Sequence, residues 1–360
     1  MSSETITNND SPLTKRQVLA PHIVVPLLAG LFSCLAVVNA TRLDESIFRS
    51  VMGYGVWFLI GAALVVIFST VSTDDLIRYS PLVGGLGLIV LYSSVLIGGL
   101  FYFGTRGTIG ILPSLGIFAA PWELLMPVYL LWLVRFSPTR VSRGMIGWKP
   151  FAMFIGMAGI WWIPLIIIPT VSGFIYYFVL FLILCWFDSV ERSKVLPASL
   201  VGLLVAGLSF YWMSSPGGYL STMISHTEHD LFATSFGNGR LLGNAANNAY
   251  QIKFILPSLD SFTVFLSIVE RIGLLGILLF LGLGLLTIAW GYYKLSNKDD
   301  AGGLVSQLFV SYFIFRSVLF LCAVTGMFPC LDLSAPLLNA SGSDLVAAMF
   351  MLMVITHSRK

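Results

Sequence analysis

Long apolar runs, most of them about long enough to cross a bilayer, recur along nearly the whole of this 360-residue sequence. A helix needs about 20 apolar residues to span the hydrocarbon core of a membrane. Such runs lie at roughly 19–40, 51–71, 81–103, 119–135, 150–169, 171–187, 195–213, 261–293, 304–326 and 343–356. Only 10% of the residues are charged, whereas soluble domains carry roughly a quarter. The pattern predicts an all-α, polytopic membrane bundle of about ten transmembrane helices.

The distribution of lysine and arginine predicts how this bundle is oriented. Most of the 20 basic residues fall in segments that are cytoplasmic if the N-terminus is cytoplasmic, as the positive-inside rule requires. Ten spans then place both termini in the cytoplasm. This topology makes residues 1–16 a polar cytoplasmic tail and residues 17–360 one transmembrane domain. Residues 214–260 become a large extracytoplasmic loop before the eighth span.

Composition argues against two other classes of protein. The net charge of +3 is small, and the basic residues are spread over short loops. The sequence therefore shows no basic patch for nucleic acid, and no nucleic-acid partner is expected. The four cysteines show no metal-ligand spacing. His226 and His229, in the sequence HTEHD, could share a helix face. Without a third ligand they are only weak candidates for a metal site, and a solvated loop is the alternative.

The extracytoplasmic loop carries several candidate functional residues, because loops of this length are usually functional. Asp260 stands where the loop enters the eighth span. It is a candidate for the helix N-cap or for a general base facing a lipid-linked substrate. Arg240, and Arg106 in an earlier outer loop, suit a diphosphate because the guanidinium fork matches phosphate oxygens. A plain surface charge is the alternative for each arginine. Lys253 is a further substrate-binding candidate.

Charged residues inside the spans need a partner or a function, because each costs about 2.5–3.5 kcal/mol on the insertion scale. Glu270 and Arg316 are predicted at similar depth in neighbouring antiparallel helices, with Arg271 as a competing partner for Glu270. These charges could form a structural ion pair that fixes helix register, or they could contact a substrate or an ion. Glu123 lies near the outer end of the fourth span, where a carboxylate could stabilise the helix start or bind a cation or phosphate group.

Three ungapped stretches resemble the SEDS family, the RodA/FtsW/SpoVE-type proteins of cell shape and division. Phe118–Arg135 is similar to the family pattern F-x-x-P-S-E-L-A-K, and Gly326–Asp344 to G-L-L-P…P-F-I-S-Y-G-G-S-S. Leu256–Gly276 also falls on family positions. The matched positions include Pro121, Glu123, Pro257, Glu270, Gly326, Pro336, Gly342 and Ser343.

This resemblance implies a peptidoglycan glycosyltransferase that polymerises lipid II at the outer face of the bacterial inner membrane. It also implies a class B penicillin-binding protein as partner and a divalent cation, Mg or Mn, as cofactor. On this basis Asp260 and Glu123 are candidate catalytic residues. The candidates for substrate binding are Arg106, Arg240, Lys253 and Ser343.

Several polar positions of the family pattern hold other residues in this sequence. In ungapped register the catalytic aspartate of the family falls on Phe262, two residues after Asp260. The lysine that follows the glutamate is Met126, and the glutamine of the ninth span is Arg316. The aromatic-glycine pair is Ala340–Ser341.

These departures leave two alternatives to a polymerase. The first is a non-catalytic membrane scaffold that binds a penicillin-binding protein or another envelope partner. The second is a transporter of a lipid-linked substrate, which would need Glu270, Arg271 and Arg316 along one polar path.

Overall fold

The computed structural model describes most of the first half of the chain and two helices near its C-terminus. The described residues are 12–40, 45–100, 109–112, 117–138, 148–167, 171–188, 301–324 and 341–357, with single residues and short pieces between 195 and 282 and at 337. The helices in these ranges are α1 (Pro12–Ala40), α2 (Glu45–Phe68), α3 (Thr73–Leu100), α4 (Pro121–Leu124), α5 (Met126–Arg135), α6 (Lys149–Ile167), α7 (Val171–Phe187), α8 (Ala301–Val324) and α9 (Gly342–His357). Two short strands, β1 (Ile109–Leu112) and β2 (Ile117–Ala119), precede α4.

The helices pack as two groups that meet at α9. Helices α1, α2 and α9 pack closely on one another, while α3, α5, α6, α7 and α8 form the other group. Helix α9 also contacts α4 and α8, which connects the two groups. Both groups share one apolar core, rich in aromatic side chains.

The fold confirms the predicted class, an all-α polytopic membrane bundle. Within the described ranges, three helical stretches are long and apolar enough to cross a membrane: Thr73–Leu96, Lys149–Ile167 and Ala301–Phe320. Shorter apolar helices of 10–17 residues accompany them. The predicted spans 195–213 and 261–293 lie almost entirely outside the described residues, so the number of ten spans stays a prediction.

Two helices begin earlier than the apolar runs predicted. Helix α1 starts at Pro12, inside the predicted polar tail, and proline is favoured at a first helical position. Helix α3 starts at Thr73 rather than near residue 81, because Ser72 caps it. The Ser72 hydroxyl accepts from the Asp75 N–H at 3.2 Å and donates to the Asp75 carboxylate at 2.6 Å. This reciprocal arrangement stabilises a helix start made of polar residues.

The predicted continuous span 119–135 is wrong in one respect, since the helix is interrupted at Leu125. Pro127 has no N–H and cannot donate to the Glu123 carbonyl four residues earlier, and its ring also crowds that carbonyl. The chain therefore makes the short helix α4, a turn at Leu125, and then α5. The short antiparallel hairpin of β1 and β2 just before α4 was also not predicted.

The start of α9 packs tightly against α2. A Cβ atom added at Gly342 would overlap the indole ring of Trp57, and Trp57 is itself buried. Glycine therefore permits the close approach of α9 to α2. Since Ser343 and Asp344 follow directly, this approach also sets their position.

We expect Gly342→Ala to destabilise the protein by about 1–3 kcal/mol, the usual cost of overpacking a filled site. Gly85→Ala in α3 is the matched control, because a Cβ there has no atom within 4 Å. Thermal melting of the two variants in detergent measures the difference. A melting temperature of Gly342→Ala equal to that of Gly85→Ala would contradict the packing described here.

A buried charged cluster as candidate functional site

The Glu123 carboxyl lies inside the protein, at the point where α4 meets α9. The residue is only 7% exposed. Its Oε2 atom accepts a hydrogen bond from Ser343 at 2.9 Å and another from Ser341. The two serines belong to a segment more than 200 residues further along the chain. The family-like stretches Phe118–Arg135 and Gly326–Asp344 therefore meet here.

Ser343 connects the carboxyl to the backbone as well as to Ser341. Its Oγ accepts from the Ala120 N–H at 3.0 Å, and it lies 2.7 Å from the Ser341 Oγ. Each serine hydroxyl carries a single proton, so two protons are shared among the three contacts that link Ser341, Ser343 and Glu123. This small hydrogen-bond network holds the Oε2 atom of Glu123 in place and so fixes the orientation of the carboxyl.

A second part of the cluster comes from α8. Arg316 is 1% exposed, and its Nη1 atom donates to the Asp344 carboxylate and to the Tyr312 hydroxyl. Asp344 lies in the first turn of α9, next to Ser343, and is also 1% exposed. Asp344 therefore joins α9 to α8 through a buried ion pair.

Arg316 also links this pair to Glu123. Its Nη2 atom lies 4.0 Å from the Glu123 Oε1, a distance suited to an ion pair but too long for a hydrogen bond. Two aromatic rings flank the guanidinium, with centroids 5.8 Å away for Tyr176 and 5.7 Å for Tyr312. One guanidinium thus faces two buried carboxyl groups among aromatic side chains.

Tyrosine side chains of α5 and α7 hold the backbone beside Glu123. The Tyr177 hydroxyl donates to the Trp122 carbonyl at 2.8 Å. Tyr129 receives a hydrogen bond from Trp162 at 3.1 Å and donates to the Tyr177 carbonyl at 2.9 Å. The residue before Glu123 is therefore anchored to α7, which limits how far the carboxyl can move.

The structure brings together three of the residues singled out from the sequence: Glu123, Ser343 and Arg316. Glu123 lies in the first turn of α4, the place that the interpretation as a carboxylate at a helix start requires. Ala120 stands at the N-cap of α4 without a side-chain hydrogen bond, and the Glu123 carboxyl also bonds to Ser341 and Ser343.

The other candidate residues lie outside the described part of the chain, and their roles stay predictions. They are Arg106, His226, His229, Arg240, Lys253, Asp260, Glu270 and Arg271. The proposed pair of Glu270 with Arg316 is therefore untested, as is the polar path that the transporter hypothesis requires. Among the described residues, no group of three His, Cys, Asp or Glu side chains could hold a metal ion.

Sequence reasoning missed Asp344, Ser341 and Tyr312. For Asp344 a signal existed, because it is a charged residue within the apolar run 343–356, where a charge requires a partner. Ser341 and Tyr312 carried no such signal, because neither side chain is charged.

Comparison with known families decides where this chain belongs. The sequence model of the FtsW/RodA/SpoVE family, described as cell cycle proteins, matches residues 17–360. The chain belongs to the FtsW/RodA/SpoVE family. The resemblance read from the three sequence stretches is thereby confirmed, and the chain is a multi-pass membrane protein of this family.

Relatives and solved structures agree with this assignment. The chain is 24% identical over 260 residues to the probable peptidoglycan glycosyltransferase FtsW of Alcanivorax borkumensis, with 69% of this chain and 67% of the relative covered. It superposes on a mutant of the rod shape determining protein RodA of Thermus thermophilus with a TM-score of 0.65 and 18% identity, covering 93% of this chain and 96% of RodA.

A second solved structure gives a similar match. That structure is described as showing the structural coordination of polymerisation and crosslinking by a peptidoglycan synthase complex. The TM-score is 0.66 at 16% identity, and 94% of this chain and 96% of the other are covered. At such identities the superpositions show a shared FtsW/RodA fold.

Met126 is a core residue in this structure. It lies one turn after Glu123, is fully buried, and packs within the main apolar core. At the position that the family pattern gives to lysine, this protein therefore has an apolar core residue, and α8 supplies the charge near Glu123.

Proposed function

We propose that this protein is a peptidoglycan glycosyltransferase that polymerises lipid II at the outer face of the bacterial inner membrane. The observation that carries the proposal is the hydrogen bond between Glu123 and Ser343. It joins two family-like stretches, 220 residues apart, into one buried polar site. In the predicted topology, with both termini cytoplasmic, α4 and α9 begin on the outer side, where a lipid-linked sugar would be presented.

In the proposed reaction, a hydroxyl group of the acceptor sugar attacks the anomeric carbon of the donor. A new C–O bond forms while the bond to the polyprenyl diphosphate breaks, and the diphosphate leaves with the electron pair. Asp260 takes the proton from the attacking hydroxyl as general base. Arg106, Arg240 and Lys253 bind the diphosphate, and their charge stabilises it as it departs.

Glu123 is proposed to orient the site rather than to bind a cation. The divalent cation that the resemblance implies does not fit at this carboxyl. One of its oxygen atoms already bonds to two serines, and the other faces the guanidinium of Arg316. Both oxygen atoms of the carboxyl therefore already have partners, and no step of the proposed reaction is routed through a cation at Glu123.

A second candidate function is a non-catalytic scaffold for a class B penicillin-binding protein. One specific observation favours it: Met126 is apolar and buried in the core, where the family pattern has lysine. In the sequence, Phe262 likewise stands at the family's catalytic aspartate position. A scaffold would keep the fold and the partner surface while losing such groups.

The test is polymerisation of labelled lipid II by the purified protein, alone and with a co-purified class B penicillin-binding protein. Each reaction is run with Mg²⁺, with Mn²⁺ and with a chelator. We expect glycan polymer in at least one of these reactions. A stable complex with the penicillin-binding protein and no polymer under any condition would overturn the proposed activity and favour the scaffold.

A further inference from the structure

We propose that Arg316 is a positioning residue that supplies from α8 the positive charge facing the Glu123 carboxyl, while Asp344 holds its guanidinium in place. This inference rests on the proposed function, because positioning matters only if Glu123 serves the transfer reaction. Neither Arg316 nor Asp344 has a role of this kind in the mechanism above.

The first argument is that the two oxygen atoms of Glu123 have different partners. Oε2 accepts from the two serines at the start of α9, whereas Oε1 faces the Nη2 atom of Arg316 at 4.0 Å. The carboxyl is thus held from α9 on one side and approached by a cation of α8 on the other. Loss of that cation would leave one oxygen without an opposing charge.

The second argument is that α4 and α5 provide no cation close to Glu123. Their basic residue is Arg135, in the last turn of α5 and exposed. Met126, one turn after Glu123, is buried among apolar side chains. Among the described contacts of Glu123, the neighbouring positive charge therefore comes from Arg316.

The third argument concerns Asp344, which binds Nη1 of the same guanidinium whose Nη2 faces Glu123. The planar fork of arginine can address two carboxyl groups in fixed directions, which a lysine ammonium cannot do. Both carboxyls and the guanidinium are buried. Asp344 thus sets the direction in which Nη2 points.

The resemblance to the family suggests the exchange that tests this arrangement. In ungapped register the family pattern has glutamine at position 316, serine at 344 and lysine at 126. A neutral-pair variant, Arg316→Gln/Asp344→Ser, removes both charges of the ion pair between α8 and α9. Neither partner of that pair is left charged and alone, and Glu123 loses the cation that faces it. Adding Met126→Lys then places a cation on α5, and adding Met126→Leu instead is the matched control without charge.

Polymerisation of labelled lipid II and thermal melting are measured for all four proteins. We expect the neutral pair to fold but to lose about tenfold to a hundredfold in rate, the scale of a displaced catalytic geometry. Met126→Lys restores the rate in that background, and Met126→Leu does not. Full activity of the neutral pair would overturn the proposal, as would failure of Met126→Lys to raise the rate above the Met126→Leu control.

A melting experiment tests the same coupling without enzymatic activity. Glu123→Gln is introduced into the wild type and into the neutral pair, and the changes in melting temperature are compared as a double-mutant cycle. We expect Glu123→Gln to be better tolerated in the neutral pair, where the carboxyl has lost its cation. Equal changes in both backgrounds would overturn the proposal.

These two readouts separate failure of the inference from failure of the proposed function. A wild type that makes no polymer but shows the coupling would reject the activity and keep the placement of Arg316. A second neutral pair, Arg316→Met/Asp344→Leu, guards against misfolding of the first, because hydrophobic residues of similar size often replace a buried ion pair without loss of stability.

Discussion

Replacing Arg316 with leucine is expected to destabilise the protein by about 3–5 kcal/mol, the usual cost of breaking a buried ion pair by removing one partner. The variant leaves the Asp344 and Glu123 carboxyls together in the interior without their common cation. It also removes the hydrogen bond from Arg316 to Tyr312. Chemical or thermal unfolding in detergent measures the loss.

The matched control for this variant is Arg78→Leu in α3, where the arginine is exposed. Substitutions at exposed sites usually change stability by less than about 0.5 kcal/mol. The double variant Arg316→Leu/Asp344→Leu should recover much of the lost stability, because it removes the stranded carboxylate of Asp344. If Arg316→Leu melts at the same temperature as Arg78→Leu, the buried pair does not stabilise the fold.

The second large effect is expected at Asp260, the proposed general base. Asp260→Asn keeps the size of the side chain and removes the group that accepts the proton. Since general-base catalysis contributes about 10²- to 10⁴-fold, polymerisation of lipid II should fall by that factor. The measurement is the initial rate of glycan formation from labelled lipid II at saturating substrate.

Asp230→Asn is the matched control for this second variant, since it makes the same change elsewhere in the predicted loop 214–260. It should polymerise at the wild-type rate. Asp260→Asn with wild-type activity would mean that another residue is the base. Loss of activity in both variants would point to a general effect on the loop rather than to a base at position 260.

The fold class followed from the sequence because apolar run length is a direct consequence of membrane thickness. Helix α6 illustrates this, since it is observed at Lys149–Ile167 where an apolar run was predicted at 150–169. Helix starts were less predictable. Helix α3 begins at Thr73, after the cap at Ser72, with polar residues that a hydropathy pattern does not count. The interruption at Leu125 depends on one missing N–H of Pro127, a local effect within an otherwise apolar run.

The candidate site was predictable as single residues but not as an arrangement. Glu123 and Arg316 were candidates because a charge in a span is costly. The sequence indicates the depth of such residues, whereas the partner depends on which helices are neighbours. Contact of α8 with α9 places Arg316 beside Asp344, and contact of α4 with α9 places Glu123 beside Ser343.

The most direct test of the central claim, that the buried cluster around Glu123 serves glycan polymerisation, is the rate of lipid II polymerisation by Glu123→Gln beside the wild type. The glutamine keeps the shape of the side chain and an oxygen that can accept from Ser341 and Ser343, but it removes the charge that faces Arg316. We predict a folded protein with polymerisation reduced by about 100-fold, the scale of a misplaced catalytic geometry. A Glu123→Gln protein that polymerises lipid II at the wild-type rate would contradict the account and make the cluster a structural element only.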